Sequence, residues 1–231
     1  MTSFQSDRTT WGRPMGDAGS DATLILVRHG ETVWNVEGRV QGQRHSALTD
    51  RGWDQTRRVA HRLATTKLDA VYSSDLQRAF EAAEFLAASH KLTAKSLPAL
   101  RERNFGVLEG KTLDEAARTE GSWLLTWQAD GLLKSPPDGE SQPDMCERVM
   151  DALREIADVH LGRSVAVVTH GGPIKSAVYD VLRIPISLWN LTFISNGSIT
   201  VIRGNRDVMR LVCLNDACHL ETTPTTEQME D

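Results

Sequence analysis

The chain is expected to fold as one α/β domain, a three-layer α/β/α sandwich on a mainly parallel sheet with one antiparallel edge strand. Three observations carry that expectation. The apolar runs Leu24 to Val27 and Val165 to Val168 lack the alternation of a half-exposed strand, so they read as strands buried on both faces and running parallel. Segments with helical apolar spacing stand between such runs. Near the C-terminus, two strand-like runs flank Gly204-Asn205-Arg206-Asp207 and read as a hairpin at the sheet edge. With 231 residues, 40% of them hydrophobic and 25% charged, the chain can bury a full core in a single domain.

Residues 1–21 mix Ser, Thr, Gly, Pro and charge without an apolar core, which predicts a flexible extension and not a signal peptide. Its Trp11 could dock on the domain or on a partner. Leu24 to Val27 forms the first strand, and Arg28-His29-Gly30-Glu31-Thr32 follows directly. Thr49 or Asp50 is expected to cap a helix through Leu63, whose imperfect apolar face is Trp53, Val59, Ala60, Leu63 and Ala64. Leu68 to Tyr72 is the next strand. Ser73-Ser74-Asp75 then caps a helix with Leu76, Ala79, Phe80, Ala83, Leu86 and Ala87 on its apolar face and Arg78 in its first turn. Thr112 to Glu120 reads as a helix, and Trp123 and Trp127, four residues apart, suit lid packing better than a substrate cage. Met145, Val149, Ala152, Leu153 and Ile156 mark another helix. Ser164 to Val168 is a strand ending in Thr169-His170-Gly171-Gly172, with a helix from Pro173. Ile199 to Arg203 and Val208 to Leu214 form the hairpin. From Glu221 the chain turns Thr-rich and acidic, so residues 221–231 are expected to be a flexible tail.

Open α/β sheets bind ligands beyond the carboxyl ends of their strands, and two strands here end in histidine. Arg28 places a cation beside the first. Arg78, at a helix N-terminus, adds a bidentate donor to free backbone N–H groups, a good seat for a phosphoryl group. Each feature alone has a plainer reading. A histidine after a strand is commonly structural, Arg78 could be a solvated charge, and Glu102 between Arg101 and Arg103 could belong to a surface ion-pair cluster.

Taken together, Arg28-His29-Gly30-Glu31-Thr32, Asn35, Ser73-Ser74-Asp75-Leu76 with Arg78-Ala79, Glu102 with Gly106 and Glu109-Gly110, and Thr169-His170-Gly171 resemble the histidine phosphatase superfamily, also called phosphoglycerate mutase-like. The elements occur in the family's order and span about Leu24 to His219, which implies a histidine phosphatase domain over residues 22–220. The resemblance implies that His29 is a nucleophile forming a phosphohistidine, that Arg28, Arg78 and His170 hold the phosphoryl oxygens, and that Glu102 protonates the leaving alcohol. It also implies that Asn35 donates to phosphate, that Gln41 and Gly42 contact the rest of the substrate, and that Gly171 and Arg103 lie at the site. Gln43 and His45 keep the plainer reading of a polar connection. His219, in an Asn215-x-x-x-His219-Leu220 ending, would touch substrate or simply close the crevice.

Phosphoryl transfer asks mainly for positioning and charge neutralisation, so two guanidiniums and an imidazolium suffice without a metal or other cofactor. His29 must be neutral to attack, whereas His170 works best charged, and opposed protonation needs give a bell-shaped rate profile with its optimum near or on the acid side of neutrality. Glu102 would need a raised pKa. The family's mutases look like Glu-Arg-His-Tyr-Gly around the acid, with paired arginines after a later Trp and Asn after the second His-Gly. Here those places hold Asn104-Phe105, Gln128-Ala129 and Gly172, and the missing cations favour a phosphatase. If Trp123 and Trp127 line the pocket with Phe105 and Leu108, the acceptor side would favour a partly apolar or bulky alcohol. The expected activity is a metal-independent phosphomonoesterase acting on a small phosphorylated metabolite. The alternatives are a cofactor-dependent phosphoglycerate mutase and, lower, a non-catalytic regulator that binds a phosphorylated ligand.

A net charge of −5 without a basic stripe argues against nucleic acid as a partner. No run is long enough to span a membrane. Cys146, Cys213 and Cys218 lack framework spacing, so reduced thiols in a cytoplasmic setting are expected. Cys213, Cys218 and His219 lack the partners of a metal site. An exposed strand edge or the Trp-bearing segment could make a homodimer, but no residue pattern decides it.

Overall fold

The computed structural model describes residues 21–120, Leu124 and residues 134–221. Among these, six strands form one sheet: β1 (Ala22–Arg28), β2 (Ala70–Ser73), β3 (Ala94–Ser96), β4 (Ser164–Thr169), β5 (Ile199–Gly204) and β6 (Met209–Asp216), in the order β3-β2-β4-β1-β5-β6. β1 and β4 lie at the centre, parallel and in register from Thr23–Ser164 to Arg28–Thr169. β2 and β3 extend the parallel set. The hairpin forms the expected edge; its inner strand β5 is the one that runs against the others, and its outer strand β6 follows the direction of β1.

Helices α1 (Val33–Val36), α2 (Asp50–Leu63), α3 (Gln77–Ser89), α4 (Leu113–Thr119), α5 (Gln142–Val159) and α6 (Gly171–Leu182) surround the sheet. Successive strand residues point to opposite faces, and both faces are covered. Leu24, Leu26, Val165 and Val167 pack with Met145, Val149, Leu153 and Ile156 of α5 and Ile174, Ala177 and Val178 of α6. Ile25, Val27, Val71, Ala166 and Val168 pack with Val59, Ala60 and Leu63 of α2 and with Ala79, Ala83 and Leu86 of α3. Unbroken apolar strands are the consequence of this two-sided burial. Each such side chain contributes about 1.5–3 kcal/mol on leaving water. A small third cluster, Leu108, Ala116 and Leu124 with Val40, Phe105 and Val107 against it, lies apart from the sheet cores.

The helix starts follow local chemistry. Thr49 caps α2 by accepting the Gly52 N–H at 3.0 Å. Thr112 with Glu115, and Ser141 with Asp144, make reciprocal capping boxes at α4 and α5. α3 departs from expectation: its N-cap is Leu76, without a side-chain cap, because the chain turns later than Ser73 to Asp75. Within that helix Arg78 is buried and Phe80 only half-buried, so a cation displaces the aromatic from the inward face. On α2 Trp53 is half-buried and Ala64 exposed. α6 starts at Gly171, two residues before Pro173, with His170 as its N-cap. Neither β3 nor α1, three and four residues long, stands out in the sequence. Trp11, Trp123, Trp127 and the two expected tails, apart from Asp21 and Glu221, lie outside the described residues.

Candidate active site

β1 and β4 end side by side, and the residue after each is a histidine. The His29 N–H donates to the Thr169 carbonyl at 3.0 Å, and the two imidazoles meet edge to face with centroids 5.1 Å apart. Gly30 then turns the chain against the start of α2. A Cβ there would stand 2.1 Å from the Gly52 carbonyl oxygen, so the turn needs glycine. His29 is 3% exposed. Its Nδ1–H donates to the Gly30 carbonyl at 2.7 Å, which places the lone pair on Nε2. Arg78 Nε–H donates to that Nε2 at 3.3 Å, in keeping with an unprotonated nitrogen.

Arg78 is held by two carbonyls, Arg44 at 2.9 Å and Gly42 at 2.7 Å. Arg28 donates through Nη1 to the Ile194 carbonyl. Its Nε is buried without a partner, and Gly171 packs so close that its Cβ would lie 3.6 Å from that nitrogen. His170 is fully buried, with Nε2 2.8 Å from the Ser74 hydroxyl and Nδ1 unpartnered. Buried unpaired polar groups cost about 1–3 kcal/mol each. An anion at this spot would satisfy them.

Burial first, then Arg78 and Arg28, hold His29 well below the ordinary imidazole pKa, outweighing the opposing bond to Gly30. The nucleophile is therefore neutral near neutrality. His170 is also held well below its ordinary value, by burial and then by Arg78, His29, Arg28 and Arg148. Without an anion, burial among cations keeps His170 neutral; the charged form expected of it is that of the phosphate-bound site. Arg78 is lowered to about 10 by burial and stays charged.

Glu102 comes to the same place from the loop after Leu100. Its Oε1 accepts the Arg103 N–H at 2.8 Å and its Oε2 the Gly172 N–H at 3.0 Å. A Cβ on Gly172 would fall 2.0 Å from Oε1, so glycine at the first turn of α6 makes room for the carboxylate. A cleft of about 310 Å³ opens between these groups. Arg28, His29, Asn35, Arg78 and Glu102 line it together with Arg39, Val40, Gln41, Gly42, Phe105, Leu108 and Leu113. Gln43, read as mere connection, reaches the Glu102 carbonyl at 3.1 Å.

Asn35 is oriented by three donors on its Oδ1, each at 3.1 Å: the Thr32 N–H, the Thr32 hydroxyl and Asn196 Nδ2. Its amide nitrogen is thus left to face a ligand. Asn196 Nδ2 also lies 3.2 Å from the His29 carbonyl and 3.3 Å from that of Gly30, the acceptor that sets the His29 tautomer. Sequence reasoning missed Asn196. Its only local signal is the turn dipeptide Asn196-Gly197 before β5, which says nothing of its distant partners.

Four expected contacts are absent from the cleft lining: His170 packs against His29 and Gly171 against Arg28, while Arg103 and His219 lie elsewhere. Arg103 is 2% exposed and turned away, donating to Glu140 O at 2.9 Å, Gln142 Oε1 at 3.2 Å and Lys134 O at 2.9 Å while stacking on Phe105. It anchors the chain before α5 because buried carbonyls there need donors. His219 is absent from the cleft lining. Its Nε2–H donates to the Gly197 carbonyl at 2.9 Å, and it sits in a depression with Arg57, Arg58, His61 and Arg62. The Gly197 N–H in turn donates to the Arg28 and His29 carbonyls, so His219 supports the turn behind the nucleophile. Among the described residues no group of three or more His, Cys, Asp or Glu could hold a metal ion.

The family model of the histidine phosphatase superfamily (branch 1) matches residues 24–217. Phosphoglycerate mutase-like protein 4 of Arabidopsis thaliana is 38% identical over 206 residues, covering 87% of this chain and 88% of its own. Metal-independent phosphoserine phosphatase of the same plant is 34% identical over 215 residues, with 92% and 89% covered. Among solved structures, Bacillus stearothermophilus YhfR superposes with a TM-score of 0.80 at 33% identity, covering 87% of this chain and all of its own.

Proposed function

The chain belongs to the histidine phosphatase superfamily (branch 1), as a phosphoric monoester hydrolase, and from that premise we propose that it is a metal-independent phosphomonoesterase working through a phosphohistidine on His29. The observation that carries this reading is the Nε2 lone pair of His29, fixed by the Nδ1–H bond to Gly30 and facing the Arg78 guanidinium. A neutral imidazole ringed by cations and unpaired donors suits attack on a phosphate dianion.

In this scheme Arg28, Arg78, the Asn35 amide and His170 hold the phosphoryl oxygens. His29 Nε2 attacks phosphorus in line, the ester P–O bond breaks, and Glu102 gives its proton to the departing alkoxide. Water then takes the alcohol's place and attacks the phosphohistidine. Glu102 accepts the water proton, inorganic phosphate leaves and His29 is restored. Positioning and charge do the work that a metal does in other phosphoryl-transfer sites.

The substrate in this reading is a small phosphorylated metabolite, handled in the cytoplasm without nucleic acid or membrane. No helix among the described residues is long and apolar enough to cross a membrane. A relative's name, phosphoglycerate mutase-like, raises the mutase alternative. A mutase must retain a bisphosphorylated intermediate while it turns over in the site. Arg103 is turned away from the cleft, and Gly172, where mutases carry Asn, gives its N–H to Glu102. Both features favour release over retention. The test is phosphate release from phosphorylated metabolites in EDTA beside a mutase assay with 2,3-bisphosphoglycerate. Release insensitive to EDTA, with an acid-labile phosphoryl group on His29, is expected; isomerisation of phosphoglycerate with little free phosphate would establish the mutase.

A further inference from the structure

The far end of the cleft has a chemistry that the reaction at His29 does not itself demand. Its walls are Val40, Phe105, Leu108 and Leu113, and Val40 and Phe105 rest on the small cluster of Leu108, Ala116 and Leu124. Cations at this end are engaged by carboxylates. Arg39 Nε binds Glu37 at 2.7 Å, and its Nη1 binds Glu115 and the Gly110 carbonyl. One guanidinium there stands between two half-exposed carboxylates, which leaves the rim net negative. Arg44, 63% exposed and outside the cleft lining, lies 3.9 Å from the buried Glu109, and Lys111 is on Glu120. Lys175 feels the charge of Glu102, yet its Nζ is on the Trp189 carbonyl at 2.9 Å and over that indole. At the near end, a phosphate dianion already matches the combined charge of Arg28 and Arg78.

We infer that the leaving group is an uncharged alcohol or phenol with an apolar body, and that esters carrying a carboxylate beside the ester oxygen are poor substrates. The inference rests on the phosphatase reading of the His29 site and narrows it. A carboxylate entering this end would lose its hydration against aliphatic and phenyl walls, and Arg39, the cation lining that end among the described residues, already holds two carboxylates. An apolar body would bury against those walls. The leaving group's size is that of a small ligand, as the cleft's volume allows.

The test compares kcat/KM of the full-length enzyme for 2-phenylethyl phosphate and O-phosphoserine, both esters of primary alcohols. The phenylethyl ester is expected to lead by about tenfold or more, the scale of discrimination an apolar pocket provides. Equal rates, or a lead for phosphoserine, would overturn the inference. Leu113→Lys, at a site already 54% exposed and hence tolerant, is expected to narrow the ratio by raising phosphoserine turnover, and an unchanged ratio would count against the assigned wall. Should neither ester release phosphate, the phosphatase reading fails, and calorimetric binding of the two esters to His29→Ala decides the inference. Tighter binding of the phenylethyl ester supports it; absent binding of that ester, or tighter binding of phosphoserine, refutes it.

Discussion

At the scale of single residues, the site depends on which nitrogen of His29 carries the proton. The Gly30 carbonyl decides that, and Asn196 holds the carbonyl while turning the Asn35 amide. Asn196→Ala should therefore lower kcat on the order of tenfold, as loss of an orienting partner does elsewhere, with KM rising through Asn35. The check is the ¹⁵N spectrum of His29, in which the Nδ1–H tautomer should lose its dominance; an unchanged spectrum and unchanged kinetics would leave Asn196 a bystander. His29→Ala should abolish turnover without unfolding the chain. Glu102→Ala should cost about 10²–10⁴-fold on an alkyl phosphate and far less on an activated aryl phosphate, since a good leaving group needs no proton. Comparable losses on both would remove Glu102 as the acid. Arg28, His29, Arg78 and His170 were readable because each stands in a short motif tied to a strand end or helix start, whereas Glu102, in the loop after Leu100, was picked out by the family pattern alone. Asn196, Arg103 and His219 were not readable, since their roles rest on partners such as Asn35, Glu140 and Gly197, tens or more residues away.

At the scale of elements, α6 is the part whose start matters most for chemistry. Its first-turn Gly172 N–H holds Glu102, and its lack of a Cβ makes the space that the carboxylate occupies. Gly172→Ala should keep the melting temperature within a few degrees, because alanine favours a helix, while kcat on alkyl phosphates falls at least about tenfold through a displaced proton donor. A variant as active as the parent would mean that Glu102 works from another position. The strands carry stability. Leu26, 1% exposed between α5 and α6, lies at the centre of β1, and Leu26→Ala should cost about 2–5 kcal/mol in urea unfolding. Strands of this kind were legible because burial on both faces leaves an unbroken apolar run. β3, with Ala94 half-buried and Lys95 and Ser96 exposed, carries no such signature; its place depends on parallel pairing with β2. The start of α3 was misread for a related reason: the Ser74 hydroxyl faces His170, a contact across 96 residues that no local pattern reports.

At the scale of the whole molecule, the site draws on stability in a way that pH should expose. His29 and His170 are buried among arginines and bind protons only well below the ordinary imidazole value, chiefly because burial penalises the charged form. In the unfolded chain both titrate near pH 6.5. Below that pH the unfolded state therefore binds more protons than the folded state. The sign follows: stability falls as pH drops through about 6.5, at up to about 1.4 kcal/mol per pH unit for each histidine, until the folded-state values are reached. Carboxylates held below their ordinary range, such as Asp75 beside Arg101, lose their stabilisation at lower pH, so the interval from pH 7 to pH 5 isolates the histidines. Urea midpoints of the parent should decline across that interval, and His170→Asn should decline with a shallower slope. A bound phosphate dianion reverses the local electrostatics by favouring imidazolium. Millimolar inorganic phosphate should therefore flatten the parent's slope more than that of His29→Ala. If parent and His170→Asn lose stability in parallel, the imidazole of His170 binds its proton as readily in the folded protein as in the unfolded chain.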